Sequence, residues 1–193
     1  MQVYAVYYEL SGRFLLGRKL TKGYYFYDSS KNKGEIVQKG QTLNGGGKYA
    51  LPGGEREGTE SITTAAKREF NEETAAVINE IRTKEKTFSN GAYSAAYFEI
   101  AKETFNKTAV DIIDTNLPQG LKAKDEIVKG DITAYNQIHQ KYPKAPKDNE
   151  LEVAYIWDVT EPEDWTRISE WKKDQDIDWY YYILEYLKFN ILK

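Results

Sequence analysis

Residues 54–76 read GEREGTESITTAAKREFNEETAA. A helix is predicted over its second half, with Thr59 or Ser61 placed to cap it. At about 100° per residue, Ile62, Ala66, Glu69 and Glu73 share one stripe, with Ala65 and Glu72 beside it. Thr64, Lys67 and Asn71 take the opposite, outward face. The inward stripe therefore begins apolar and turns acidic. Glu69, Glu72 and Glu73 repel one another at i, i+3 and i+4 and meet the negative end of the helix dipole, a cost on the order of 0.3–1 kcal/mol for each exposed acid. A merely solvated acidic face would have put these glutamates with Lys67. Inward, clustered carboxylates call for a cation, and an all-oxygen donor set favours a hard one, Mg²⁺ or Mn²⁺. Arg68 reaches Glu72 at i, i+4 and braces one side of the cluster.

These residues resemble the Nudix signature, G-x5-E-x7-R-E-U-x-E-E-x-G-U, where U is a bulky aliphatic residue. Gly54, Glu60, Arg68-Glu69 and Glu72-Glu73 match. Phe70 replaces an aliphatic, Ala76 is small for the last position, and Ala75 stands where the family has glycine. That glycine normally turns the chain with positive φ, so alanine there costs roughly 1–2 kcal/mol. None of the three departures removes a metal ligand. The preceding Leu51-Pro52-Gly53-Gly54 also resembles the family's entry to its catalytic loop, where glycine lets backbone carbonyls approach a metal.

Composition narrows the classes. The chain has 193 residues, enough for one domain with an insertion. A net charge of −3 and a pI near 5.4 leave no basic footprint for nucleic acid. There is no cysteine, which excludes disulfides and thiolate chemistry and suits a reducing cytoplasm. The single histidine, His139, excludes a multi-histidine metal site and reads as a packing or surface residue. No apolar run is long enough to span a membrane, and no signal peptide is visible.

Around the motif, 2–10 and 14–19 read as paired strands about the turn Ser11-Gly12-Arg13. Residues 23–48 read as a long polar loop, either a substrate-contacting loop or a plain linker. Residues 76–88 and 92–100 read as strands around the turn Ser89-Asn90-Gly91, and 151–159 as a further strand. Region 103–146 is predicted to be a helical insertion, a lid or dimer element, with Pro118 and Gly120 as breakers and a helix after Asp131 that stops at Pro143. Residues 177–192 form a final helix, apolar nearly all round. That tail is expected to bury its apolar surface either against the domain or across a two-fold interface; a homodimer is the favoured reading, with packing against the insertion 103–146 as the alternative.

The resemblance implies an α/β (α+β) fold, a Nudix-like mixed sheet sandwiched between helices, in a single domain over 1–193. The element pattern alone says only mixed α and β. It also implies a hydrolase acting on a nucleoside diphosphate linked to another moiety, such as a dinucleoside polyphosphate, a nucleotide sugar or a nucleoside triphosphate. The site residues it implies are Gly54, Glu69, Glu72 and Glu73 for the metal and Arg68 as brace. Glu60 is an outer group, and Glu150 or Glu152 is a further acid, ligand or base. Arg18 and Lys19 are implied for phosphate. Tyr93 stands where the family's dinucleoside polyphosphate hydrolases often carry a tyrosine, and Asn90 stands where its ADP-ribose enzymes often carry a proline. The rival readings are a non-catalytic nucleotide sensor, which normally loses box glutamates that are kept here, and a structural dimerisation protein.

Overall fold

A computed structural model describes residues 1–82 and 84–193. Among these residues, nine strands and the helices between them build a mixed α and β architecture. The central strand is β1 (Gln2–Tyr8). It runs parallel to β8 (Tyr93–Glu99) and antiparallel to its other neighbours, so the sheet is mixed. β1 pairs with β2 (Arg13–Lys19) only at Tyr8↔Phe14. Beyond that point the two strands splay, and the segment 49–55 crosses the gap. Its first part, β5 (Tyr49–Ala50), bonds to β2, and its second part, β6 (Gly53–Glu55), bonds to β1. Ala5 donates its N–H to the Pro52 carbonyl at 2.8 Å, fixing the crossing point. β9 (Leu151–Asp158) covers the outer side of β2, and β7 (Thr87–Ser89) edges β8.

Alternation along β1 sends its side chains into two separate cores. Val3, Ala5 and Tyr7 face α1 (Ile62–Thr74) and α2 (Lys102–Asp111), packing with Phe70 and Phe105. Tyr4, Val6 and Tyr8 face the opposite layer. That layer is built from α5 (Pro162–Glu170), α6 (Asp178–Tyr186) and the π-turn 187–191. Phe70, the departure from an aliphatic, stacks on Tyr7 with ring centroids 5.0 Å apart.

Four expectations need correction. Residues 22–42 are a hairpin, β3 (Lys22–Asp28) and β4 (Lys33–Thr42), not a loop. Tyr25 is fully buried in a third core with Ala123, Ile127 and Ile138, which gives this otherwise polar hairpin an anchor. Residues 76–86 form no strand among the described residues; only β7 is regular, and Thr83 lies outside the described set. Ile78 is buried while Val77 and Ile81 are exposed, so no alternating apolar face exists to pair. Pro118 and Gly120 do not break the helix. A π-turn, Ile112–Asn116, precedes α3 (Leu117–Lys129), which puts Pro118 in a first turn, where its missing N–H is tolerated. Gly120 lies against Pro146 and the Tyr25 hydroxyl. Asp131 does not cap α4 (Tyr135–Lys141). The N-cap position is Ala134, and the Gln137 side chain accepts from the N–H groups of Thr133 and Ala134.

The tail packs on its own chain's sheet, in the core of Tyr4, Tyr97 and Trp157, while the insertion packs with α1 and the hairpin on other faces. Docking of the tail against 103–146 is therefore not observed. The intramolecular packing also removes the apolar excess that motivated a homodimer. Tyr182 and Phe189 are the tail's large side chains left exposed. Among the described residues no helix is long and apolar enough to cross a membrane.

Ser61 caps α1 by accepting the Thr64 N–H at 3.0 Å. Ala75 ends it in the left-handed region, φ 56°. Its N–H reaches the Asn71 carbonyl at 2.8 Å, and Asn116 donates its amide to the Thr74 carbonyl at 2.9 Å. The turn is held from outside by the insertion, although alanine is strained there. Ala75→Gly is expected to leave thermal and urea stability unchanged or raise it by up to ~1 kcal/mol; a clear loss would contradict the strained-turn account.

Candidate active site

The site is built on the last two turns of α1. Glu69, Glu72 and Glu73 are all buried, as their stripe predicts, and Arg68 is their organiser. Its Nη1 donates to Glu69 at 2.7 Å and to Glu72 at 3.1 Å. Its Nε and Nη2 take both oxygens of Glu60 at 3.0 Å, and Nη2 also reaches the Glu55 carbonyl at 2.8 Å. One guanidinium thus ties the loop 55–60 to the acidic end of the helix. Its rigid fork suits this work better than a lysine ammonium would.

Gly53 and Gly54 carry the approaching strand across the acids. The Gly53 N–H points to Glu73 Oε1 at 3.4 Å. A Cβ on Gly53 would fall 2.3 Å from the Val3 carbonyl, fixed backbone that leaves room only for glycine, and one on Gly54 would fall 2.5 Å from Glu69 Oε2 and displace that carboxylate.

From the other side comes the segment before β9. Asp148 donates its N–H to the Glu72 carbonyl at 3.0 Å, and its side chain accepts the Tyr27 N–H at 2.5 Å. Asn149 bonds to the backbone of both Tyr24 and Tyr25. Glu150 pairs with Lys19 at 2.7 Å. β3 therefore positions these acids, and Asp148 is a half-buried member of the cluster that sequence reasoning missed. The run Lys147-Asp148-Asn149-Glu150 ahead of an apolar strand was the available signal.

The electrostatics are unbalanced. Five carboxylates, of Glu69, Glu72, Glu73, Asp148 and Glu150, face Arg68, Lys19 and, at longer range, Lys147. Burial pushes Glu69 up to about 7 despite the pull of Arg68. Burial, then the Glu150 charge, drives Glu73 well above the usual carboxylate range, against Lys19. Burial raises Asp148 strongly, although the Tyr27 N–H opposes it, and raises Glu72 against Arg68. For Lys19, burial disfavours the ammonium, but Glu150 and Glu73 more than compensate, and its pKa rises. Glu73 Oε2 is buried and has no hydrogen-bond partner.

Such a set fits a hard divalent cation in donor chemistry: all oxygen, short of positive charge, with one orphaned carboxylate oxygen. Among the described residues, however, no three His, Cys, Asp or Glu side chains converge closely enough to hold an ion as they stand. Arg68 draws Glu69 and Glu72 to one side, and Lys19 draws Glu150 to the other.

The remaining expected residues are placed apart from the cluster. Arg18 pairs with Glu152 at 2.9 Å, both about 40% exposed, so these two face solvent while Lys19 and Glu150 face the acids. A register shift between Arg18 and Lys19 separates the two pairs. Tyr93 lies not in the cluster but on the wall of a cavity of about 1010 Å³, which also touches Lys19, Gly53, Gly54 and Glu150. His139 lies edge-on to Tyr135 in α4, away from these groups, and burial lowers its pKa.

No protein-family model matches the chain, and no curated protein matches it. Among solved structures, the MutT protein from Methanosarcina mazei Go1 is similar, with 24% identity over 52% of this chain and 64% of that chain. The match thus spans less than two thirds of that protein, with a TM-score of 0.30. A likeness at this level leaves the fold and the site to be argued from the residues themselves.

An acid whose pKa rises on folding keeps a proton in the native state that the unfolded chain has already released. Metal-free stability should therefore fall as pH rises from about 4.5, the ordinary glutamate value, through about 7 for Glu69. The loss should be on the order of 1–3 kcal/mol, and Glu73→Gln should recover part of it. Urea melts in chelator at pH 5 and pH 8 measure this; equal stability at both would show that the acids are not charge-strained.

Proposed function

We propose that the chain is a divalent-metal-dependent hydrolase of the Nudix type that cleaves a nucleoside diphosphate linked to another moiety. The observation that carries the reading is the buried acidic end of α1, with an unpartnered Glu73 oxygen, bordering a large cavity across Gly53 and Gly54. Mg²⁺ or Mn²⁺ would be held by Glu69, Glu72 and Glu73, with help from Gly54. Bound there, it would supply Lewis acidity and offset the charge of the diphosphate.

The chain's own residues do the rest. Arg68 keeps Glu69 and Glu72 on one side and holds the loop 55–60 closed on the helix. Lys19 lies on the cavity wall between Glu150 and Glu73 and meets substrate phosphate. Glu150, on the same wall and partly accessible, takes the proton of the attacking water. Asp148 keeps the segment before β9 in register with α1. Arg18 and Glu152, paired with each other near solvent, take no part in this arrangement.

A second reading, a nucleotide-binding domain without turnover, is favoured by the acids' being drawn apart by Arg68 and Lys19. A hydrolysis screen over dinucleoside polyphosphates, nucleotide sugars and nucleoside triphosphates, with Mg²⁺ and with Mn²⁺, separates the two. Turnover of at least one compound is expected. Glu73→Gln should lower it by about 100-fold or more, since losing a ligand exceeds the 10–100-fold cost of losing an outer partner. Its melting temperature should be maintained, or raised in metal-free buffer above pH 7. Full activity in that variant would defeat the metal-site assignment, and no turnover with any compound would favour the binding domain.

A further inference from the structure

The cavity beside the acids is large for a diphosphate alone, and much of its wall comes from parts of the chain with no role in the acidic cluster. The tail contributes Trp179 and Tyr180, the start of β8 contributes Ala92 and Tyr93, and the hairpin contributes Phe26 and the loop after β4. The cavity wall is thus rich in flat aromatic side chains. The same cavity is lined by Gln2, Gln41 and Asn44, whose amides both donate and accept.

Trp179 is one of these rings. It is only partly buried, with its ring stacked along Tyr4 at 6.4 Å and 23° and against Tyr180 at 5.3 Å. Tyr4 and Tyr180 lie close enough to Glu73 to feel its charge, so the aromatic wall and the acids are continuous. The tail segment that bears Trp179 is itself pinned. Lys48 binds Asp174 at 2.8 Å and Asp176 at 2.6 Å, joining the loop after β4 to the residues just before α6. The wall is therefore held by charge at its rim and by ring packing at its base.

Polar amides among aromatic faces suit a planar heteroaromatic ring with mixed donor and acceptor edges, and every nucleobase presents such a face. We propose that this aromatic wall is a nucleobase compartment in which Trp179 is the stacking residue, so that the nucleoside end of the substrate lies toward the tail and its diphosphate toward Gly53, Gly54 and Lys19. The proposal rests on the hydrolase reading for the position of the diphosphate, and it assigns the C-terminal segment a role in substrate selection.

The test measures binding without turnover. Calorimetry in Mg²⁺ compares the non-hydrolysable α,β-methylene ADP and α,β-methylene UDP with methylene diphosphonate, which has no nucleoside. At least one nucleoside analogue should bind 10-fold or more tightly than methylene diphosphonate. Trp179→Ala should abolish that advantage and leave methylene diphosphonate binding unchanged, whereas Trp179→Phe should keep most of it. Because Trp179→Ala also removes packing from Tyr4, a second variant fills the mouth instead. Ala92→Trp, at an exposed position on the wall, should produce the same selective loss with an unchanged melting temperature. Nucleoside binding intact in both variants, or no advantage of the nucleoside analogues in the wild type, would overturn the compartment. An active enzyme whose KM neither variant moves would defeat the compartment and leave the hydrolase reading standing. Selective nucleoside binding without turnover of any compound would do the reverse.

Discussion

Arg68 is the interaction on which the rest of the site depends. Acids at the C-terminal end of a helix, turned inward and crowded, are unfavourable on every count: burial, mutual repulsion and the helix dipole. The guanidinium compensates in part by bonding to Glu60, Glu69, Glu72 and the Glu55 carbonyl at once. In doing so it folds the loop 55–60 back over the helix and fixes where β6 must run. That compensation is incomplete, as the raised Glu69, Glu72 and Glu73 and the unpartnered Glu73 oxygen show. This deficit of positive charge in the interior is what supports the proposal of a cation at the acidic end of α1.

The sheet turns this local strain into an accessible site. Because β1 and β2 splay after a single paired position, the chain crosses between them and delivers Gly53 and Gly54 onto the acids. Glycine is needed at 53, where a side chain would meet the Val3 carbonyl, and at 54 a side chain would push the Glu69 carboxylate out of place. On the far side, the β3–β4 hairpin holds the segment 148–150 by backbone bonds at Tyr24, Tyr25 and Tyr27. Strand crossing, helix end and hairpin thus meet at one point, although they lie far apart along the chain.

The two helical additions have different mechanical roles. The insertion shares a core with α1 and supports the Ala75 turn through Asn116, so it stabilises the helix that bears the acids. The tail packs on the opposite face of the sheet and reaches the cavity with Trp179 and Tyr180. Support for the chemistry and shaping of the pocket are thereby assigned to separate layers.

How much of this was legible follows from how local each feature is. The helix α1, a cap at Thr59 or Ser61 and the inward direction of Glu69, Glu72 and Glu73 depend on neighbours within one or two turns, so periodicity and capping chemistry sufficed, whereas the left-handed Ala75 was implied by the resemblance, through the glycine the family carries there. The identity of Arg68 as brace followed from its i, i+4 relation to Glu72. The hairpin at 22–42 escaped because its face is buried by a core donated from residues 123–145, although the Tyr24–Tyr27 run and the Asp28–Lys33 turn were hints. Glu150 and Glu152 were indistinguishable in sequence. A register shift at Lys19, set by pairing between β2 and β9, sends one to the acids and the other to Arg18. Asp148 joins the cluster only because β3 binds it there, and the tail's apolar surface found its partner in its own sheet. The chain by itself determined the acidic helix and its chemistry, because those rest on spacing along one element. Tertiary structure alone decided which acids complete the cluster and what walls the cavity, because those depend on pairing between segments whose local patterns carry no record of their partners.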